Sequence, residues 1–317
     1  MAPTAAAKPP GRAGDAGARG MMRSPETTTF RPTAPFRPPW RAVSELQRLT
    51  PEQFQRFQQF IYRQTGIRMQ EGKLTLLSNR IRRRLRDLSI DSFEEYYRLL
   101  VAKRLAGELE QFIDAITTNE THFFRTAGHF AWFSGPFLDG LIAAAAAGRH
   151  DRSLSVWSAA CSSGEEAYSL AICLLEARHR LAGWKLSVLG TDICETVLER
   201  ARAGRYDKRA LEHVSAERLR EHFTAEAEGE WKVKPAVAAP CEFRRHNLLE
   251  PLAGRRFDCV FVRNVLIYFD RASKEIAVRN LLASLVPGGS LVVGPADGVY
   301  DLLGGMRRES AFLYQKP

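Results

Sequence analysis

The sequence predicts an α/β protein in which a helical domain precedes an open sheet built from βα repeats. Three observations carry that expectation. Apolar residues recur at helical spacing through residues 44–118. Residues 154–168, LSVWSAACSSGEEAY, read as the end of a buried strand, a turn of small residues and the opening of a helix. That arrangement is how open α/β sheets hold nucleotide-like ligands. Apolar strands at 186–189, 257–262 and 290–293 then alternate with helical stretches.

Residues 1–40 carry Pro3, Pro9, Pro10, Pro25, Pro32, Pro35, Pro38 and Pro39 among Gly, Ala and Arg. Such a segment buries too little apolar surface to offset its ordering entropy, so a disordered, weakly basic tail is expected. Residues 41–126 form the expected helical domain. Thr50, Pro51 and Gln53 propose a capped helix start, Phe54, Phe57 and Ile61 share one face, and Gly66 stops the helix. Leu74, Leu77, Ile81, Leu85 and Leu88 form the next stripe, among Lys73, Arg80, Arg82, Arg83, Arg84 and Arg86. These arginines read either as a solvated face or as a docking surface for carboxylate or phosphate, the anions that arginine favours over lysine. Asp91 and Glu94 suggest a second capping box before Phe93, Tyr96, Tyr97 and Leu100. Leu109, Phe112, Ile113 and Ile116 mark a last helix. Residues 117–125, TTNETHFFR, hold more hydrogen-bonding side chains than a plain connection needs. The blander reading is a capped helix with a buried Phe pair.

The α/β domain is expected over residues 127–317. Phe130, Phe133, Phe137, Leu138 and Leu141 suggest a helix against the sheet. The strand at 186–189 runs into Gly190, Thr191 and Asp192, and an acid past a second strand suits ribose hydroxyls. A helix at 195–203 ends at Gly204. Residues 205–246 break the rhythm and read as a β-rich insertion, with a polar helix near 216–223 and short antiparallel strands around Val233 and Phe243. The strand FDCVFV at 257–262 leads into RNVLIYF, and a helix at 273–285 precedes the turn Pro287, Gly288, Gly289.

The composition, 45% hydrophobic and 26% charged, is that of a soluble globular protein. A net charge of +10 asks for an acidic partner. The five cysteines are odd in number, with no CxxC and no metal-spaced Cys/His pair. A disulfide framework and a zinc site are therefore not expected, and a reducing compartment is. No apolar run is long enough for a bilayer, and the first residues lack a secretory core, so a cytoplasmic protein is expected.

Four blocks together resemble one family. TTNETHFFR (117–125), WSAACSSGEEAYS (157–169), TDICETVLERARAGRY (191–206) and FDCVFVRNVLIYFD (257–270) resemble, in order and spacing, the CheR-type protein-glutamate methyltransferases of bacterial chemotaxis receptors. KLTLLSNRIRRRL (73–85) is similar to that family's basic helix, and the resemblance spans roughly residues 45–317. It implies a class I, Rossmann-like methyltransferase domain with an N-terminal helical domain and an antiparallel β subdomain. S-adenosylmethionine would be the cofactor and S-adenosylhomocysteine its product. Carried over by position, the implied cofactor contacts are Asn119, Thr121, Arg125, Glu165, Asp192, Asn247, Leu248, Arg263 and Asn264. Within that set Glu165 suits the cofactor's ammonium, Asp192 its ribose and Asn247 its adenine. Arg125 suits the cofactor carboxylate or the reacting groups, and Arg125 and Tyr268 are expected to orient the acceptor carboxylate.

The same resemblance implies a receptor helix approached by Arg80, Arg82, Arg83, Arg84 and Arg86, and in some members a receptor tail peptide on the β subdomain. The chain departs from the family where a Gly-His-Ser-Glu run is common: it has Gly294, Pro295, Ala296, Asp297 and Gly298. That departure touches the rim of the acceptor pocket. A nucleic-acid methyltransferase would want a base-stacking module, and none is recognisable. A receptor-binding or cofactor-sensing scaffold without catalysis is the remaining alternative.

Overall fold

Local signals shape the helical domain first. The computed structural model describes residues 48–317, so the proline-rich segment read as a disordered tail lies outside the described residues. Helix α1 (Pro51–Thr65) opens with the expected capping box: Thr50 accepts from the Gln53 amide, and the Gln53 side chain accepts from the Thr50 amide. It stops at Gly66, whose φ of 73° favours glycine. Helix α2 (Leu74–Asp87) buries Leu77, Ile81 and Leu85. Helix α3 (Phe93–Val101) is capped by Ser92, whose hydroxyl accepts from the Glu94 and Glu95 amides. This corrects the expected cap at Asp91, since Ser92 is the residue immediately before the first helical turn. Helix α4 (Glu108–Ile116) completes a core around Phe54, Phe57, Tyr96 and Phe112.

The helix expected near residue 130 is divided. Helix α5 (Ala127–Trp132) passes through a wide π turn (Phe133–Phe137) into α6 (Leu138–Ala146). Pro136 lies inside that turn and supplies no N–H, so the ordinary helical bonding cannot continue through it.

Strand β1 (Ser153–Ala159), helix α7 (Glu165–Glu176) and strand β2 (Lys185–Asp192) form a parallel βαβ unit, followed by α8 (Glu195–Ala203). Strands β3 (Arg205–Tyr206), β4 (Phe223–Ala225) and β5 (Trp231–Val233) make a small antiparallel sheet in the order β3-β5-β4, with α9 (Ala216–His222) ahead of β4. Strand β6 (Cys241–Arg245) does not join that sheet. It pairs parallel with β2, Val188 facing Cys241 and Asp192 facing Arg245. The antiparallel strand expected around Phe243 is thus corrected to an edge strand of the main sheet. Phe243 fits there because Gly190 has no side chain; a β-carbon at Gly190 would lie 2.7 Å from the Phe243 ring.

Strand β7 (Phe257–Val262), helix α10 (Arg271–Ala283) and strands β8 (Leu285–Val293), β9 (Arg307–Arg308) and β10 (Leu313–Gln315) complete the architecture. The seven-stranded sheet runs β6-β2-β1-β7-β8-β10-β9. The first five strands are parallel, and β10 and β9 pair antiparallel. One apolar cluster gathers α7 residues under one face and another gathers α10 residues under the other. Strand order reverses at β1, which opens a crevice at the carboxyl ends of β1, β2 and β7. The helical domain is tied to that edge. Ile67 bridges Phe269, the Arg68 amide donates to the Tyr268 carbonyl at 2.9 Å, and Tyr62 donates to Asp270 at 3.2 Å.

Candidate active site

The turn after β1 shapes the floor of the crevice. Ala160 (φ 63°), Ser162 (φ 51°) and Gly164 (φ 95°) all take left-handed backbone. A β-carbon at Gly164 would lie 2.8 Å from the β-carbon of Ala201, so packing against α8 also requires glycine there. The Ser162 amide donates to Asp192 Oδ2 at 2.9 Å, and the Cys194 amide donates to Oδ1 at 3.0 Å. Burial pushes the Asp192 carboxyl above its ordinary range, opposed by these backbone bonds. The turn and the end of β2 therefore meet at one carboxylate.

Above them lies a cavity of about 380 Å³, walled by the ends of β1, β2 and β7, by residues 117–125 and by the helical domain. The Phe pair fixes residues 117–125 over it. Phe123 packs edge-on against Tyr206 and Phe223 at 4.8 and 5.1 Å. The Phe124 amide donates to Ser169 at 3.0 Å. The buried Phe pair is present but no helix runs through 117–125, and Asn119, Thr121, His122 and Arg125 line the cavity.

Asp192, Asn247, Leu248, Arg263, Asn264 and Tyr268 also line it. Arg263 is a buried cation, its side chain 2% exposed. It donates to Glu166 at 3.0 Å and to the Arg125 carbonyl at 2.6 Å. Ser158 donates to the other Glu166 oxygen at 2.7 Å. Asn247 donates to the Gln64 carbonyl at 3.1 Å and accepts from the Leu249 amide at 3.1 Å, so it also joins the two domains. Tyr268 stands at the mouth, 37% exposed.

Glu165 is the one expected contact that the structure sets apart. It is 4% exposed and absent from the lining, and both its oxygens accept from Ser163 Oγ at 3.0 and 2.8 Å. Burial pushes its carboxyl up to about 7. Its neighbour Glu166, about 100° further round the helix, reaches the cavity instead. Sequence reasoning passed over Glu166 and His246. The acid pair in CSSGEEAY was the only signal for the first, and nothing local marked the second.

The mouth is cationic, with Arg68, Lys73, Arg80 and Arg125 around Leu76, Ile267 and Tyr268. The rest of the basic helix is divided. Arg84 grips buried Glu108 with two bonds, 3.0 and 2.6 Å, while Tyr96 donates to the same carboxylate at 2.6 Å. Arg80 donates to the Ile116 carbonyl and to Thr118. Arg82 donates to Asn79 at 3.3 Å. Arg83 and Arg86 are exposed. Among the described residues no group of His, Cys, Asp and Glu could hold a metal, and no helix is long and apolar enough to cross a membrane.

The cavity suits an adenosine-type donor. Its volume falls in the usual range for small-molecule sites, and a strand-end acid faces it. Among the described residues, Arg263 Nε and His246 Nε2 are buried on its lining without hydrogen-bond partners. Comparisons with known proteins agree. A family model described as "CheR methyltransferase, SAM binding domain" matches residues 119–307, and one described as "CheR methyltransferase, all-alpha domain" matches residues 52–117. The chain is 38% identical over 261 residues to a chemotaxis protein methyltransferase of Salmonella typhimurium, covering 80% of this chain and 86% of that one. It is 35% identical over 254 residues to chemotaxis protein methyltransferase Cher2 of Pseudomonas putida, covering 78% and 91%. It is 39% identical over 254 residues to chemotaxis protein methyltransferase 2 of Pseudomonas aeruginosa, covering 78% and 87%. With a helical domain, a strand-end cavity and both matching models in register, the chain belongs to the CheR family of S-adenosylmethionine-dependent methyltransferases.

Proposed function

We propose that this protein is a cytoplasmic protein-glutamate O-methyltransferase that esterifies glutamate side chains on chemotaxis receptors. One observation carries the reading: a cavity with a ribose-type acid on its wall opens through a mouth of cations and Tyr268. An anionic acceptor is thus led to the donor.

In this reading Asp192 accepts from the ribose hydroxyls. Leu248 and Asn247 would hold the adenine, Asn247 with the N–H that Gln64 leaves unused. Asn119, Thr121, Arg125, Arg263 and Asn264 hold the remainder of the donor. Glu165 would meet the donor's ammonium only by leaving Ser163 Oγ and turning into the cavity. Bound S-adenosylmethionine supplies a methyl group on a positively charged sulfur.

The acceptor needs no base, because a glutamate with a pKa of about 4.3 is already ionised at neutral pH. The protein's tasks are alignment and exclusion of water. Arg125 and Tyr268 hold the carboxylate so that one oxygen faces the methyl at about 3–3.5 Å. The segments 65–80 and 117–125 roof the site against solvent.

Exposed Arg83 and Arg86 extend the positive field of the mouth towards an acidic receptor helix. The small sheet leaves β3 and β4 as edges to which an extended receptor tail can add. Methyl-labelled donor tests the reading, with a receptor helical fragment and an RNA offered side by side. Base-labile label on the fragment is expected. Label on the RNA, or none on either while the donor binds, contradicts it.

A further inference from the structure

Asp297 is fully buried, 0% exposed, and lies behind the cavity wall rather than on it. A buried carboxylate needs compensation, and here it comes from the backbone. Oδ2 accepts from the Asn264 and Gly294 amides, both at 2.9 Å. Oδ1 accepts from the Val265 amide at 3.2 Å and the Leu266 amide at 3.0 Å. Three successive amides of the turn after β7 thus converge on one side chain, a backbone nest around an anion. The neighbouring cation, Lys274, donates to the Asp297 carbonyl at 2.7 Å.

That hold shapes a turn in which Asn264 takes left-handed backbone, φ 57°, a conformation that asparagine tolerates better than most L-residues. The segment also carries Arg263, Asn264 and Tyr268, which all line the cavity. Gly294 completes the cradle, because a β-carbon there would overlap Asp297 Oδ2 and lie 3.1 Å from the Asn264 nitrogen.

We propose that Asp297 is a positioning residue for donor binding: its carboxylate fixes the 263–268 turn in the shape that receives S-adenosylmethionine, without touching it. The run 294–298, where this chain departs from the usual family pattern, is thus not the rim of the cavity that the sequence suggested; it acts on the site from behind, through Asp297. The inference rests on the cavity being the donor site.

Calorimetry with S-adenosylhomocysteine, paired with melting temperatures, tests it on wild type, Asp297→Asn, Gly294→Ala, the double variant and Leu313→Ala. Asp297→Asn keeps the shape but replaces one accepting oxygen by an amide donor, and Gly294→Ala displaces the carboxylate. Each is expected to weaken binding about 10-fold or more, with the double variant within about 3-fold of the weaker single. Leu313, buried in β10 one strand in from the far sheet edge, serves as a stability control. Leu313→Ala is expected to lower the melting temperature and leave binding within about 2-fold. If Asp297→Asn fails to fold, Gly294→Ala carries the same reading. Wild-type-like binding in Asp297→Asn overturns the inference alone, as does an equal loss in Leu313→Ala. Absence of binding by folded wild type removes the donor-site reading along with it.

Discussion

Arg125 is steadied by a carbonyl rather than an acid. Its Nη1 donates to the Glu120 carbonyl at 3.0 Å, whereas Arg84 and Arg263 each face a carboxylate. Its charge therefore remains available to an incoming anion. Arg125→Ala is expected to lower kcat/KM for methyl transfer about 100-fold, the scale of lost alignment. Arg178→Ala, at an exposed position on the surface, is expected to leave it unchanged; initial-rate kinetics on the pair decides. Glu165 makes a pH-dependent contribution instead. Its carboxyl rises from 4.5 to about 7 through burial. Between those values the unfolded chain releases a proton that the folded protein keeps, so folding loses stability as pH rises, fully so above 7. Glu165→Gln is accordingly expected to gain on wild type by about 1–3 kcal/mol between pH 5 and pH 8. Urea unfolding at the two pH values measures this, and an unchanged difference refutes it.

At the scale of elements, α2 does two jobs with one kind of side chain. Arg84 neutralises Glu108, itself 3% exposed, beneath the helical domain. Arg84→Ala strands that charge and is expected to destabilise the protein by about 3–5 kcal/mol. Arg83→Ala is expected to stay within about 0.5 kcal/mol, and chemical denaturation compares the two. The sequence made the stripe of α2 plain, because Leu77, Ile81 and Leu85 repeat at helical spacing. It did not separate the arginines, because the partner of Arg84 lies on α4. The cap at Thr50 was legible since both halves of its box are local. Strand β6 was not: its polar residues alternate with Cys241 and Phe243, a pattern shared by an exposed edge strand and a small antiparallel hairpin. The run holding Asp297 stood out as a departure, but its buried role was illegible for a related reason: apart from Gly294 its partners are amides some 30 residues away, and amides leave no mark in composition.

At the scale of the molecule, the cavity exists because the sheet changes direction at β1 while the helical domain closes over its carboxyl edge. The strand-end acid, the small-residue turn and the polar run before the sheet could all be read from the chain. Their convergence on one cavity, with Glu165 behind its wall and Glu166 on it, required the packing of α7. The net charge of +10 acts at this scale too. Reversing Arg83 and Arg86 to Glu is expected to slow association with an acidic receptor helix, most at low salt and least at high salt. Stopped-flow binding across ionic strength checks that, and a salt-independent difference argues against steering. The most direct test of the donor-site account is a crystal structure with S-adenosylhomocysteine bound. The account predicts the ribose hydroxyls within hydrogen-bond reach of Asp192 and the sulfur turned towards the opening between Arg125 and Tyr268. A nucleoside seated elsewhere, or an Asp192 that faces no ribose, would contradict it.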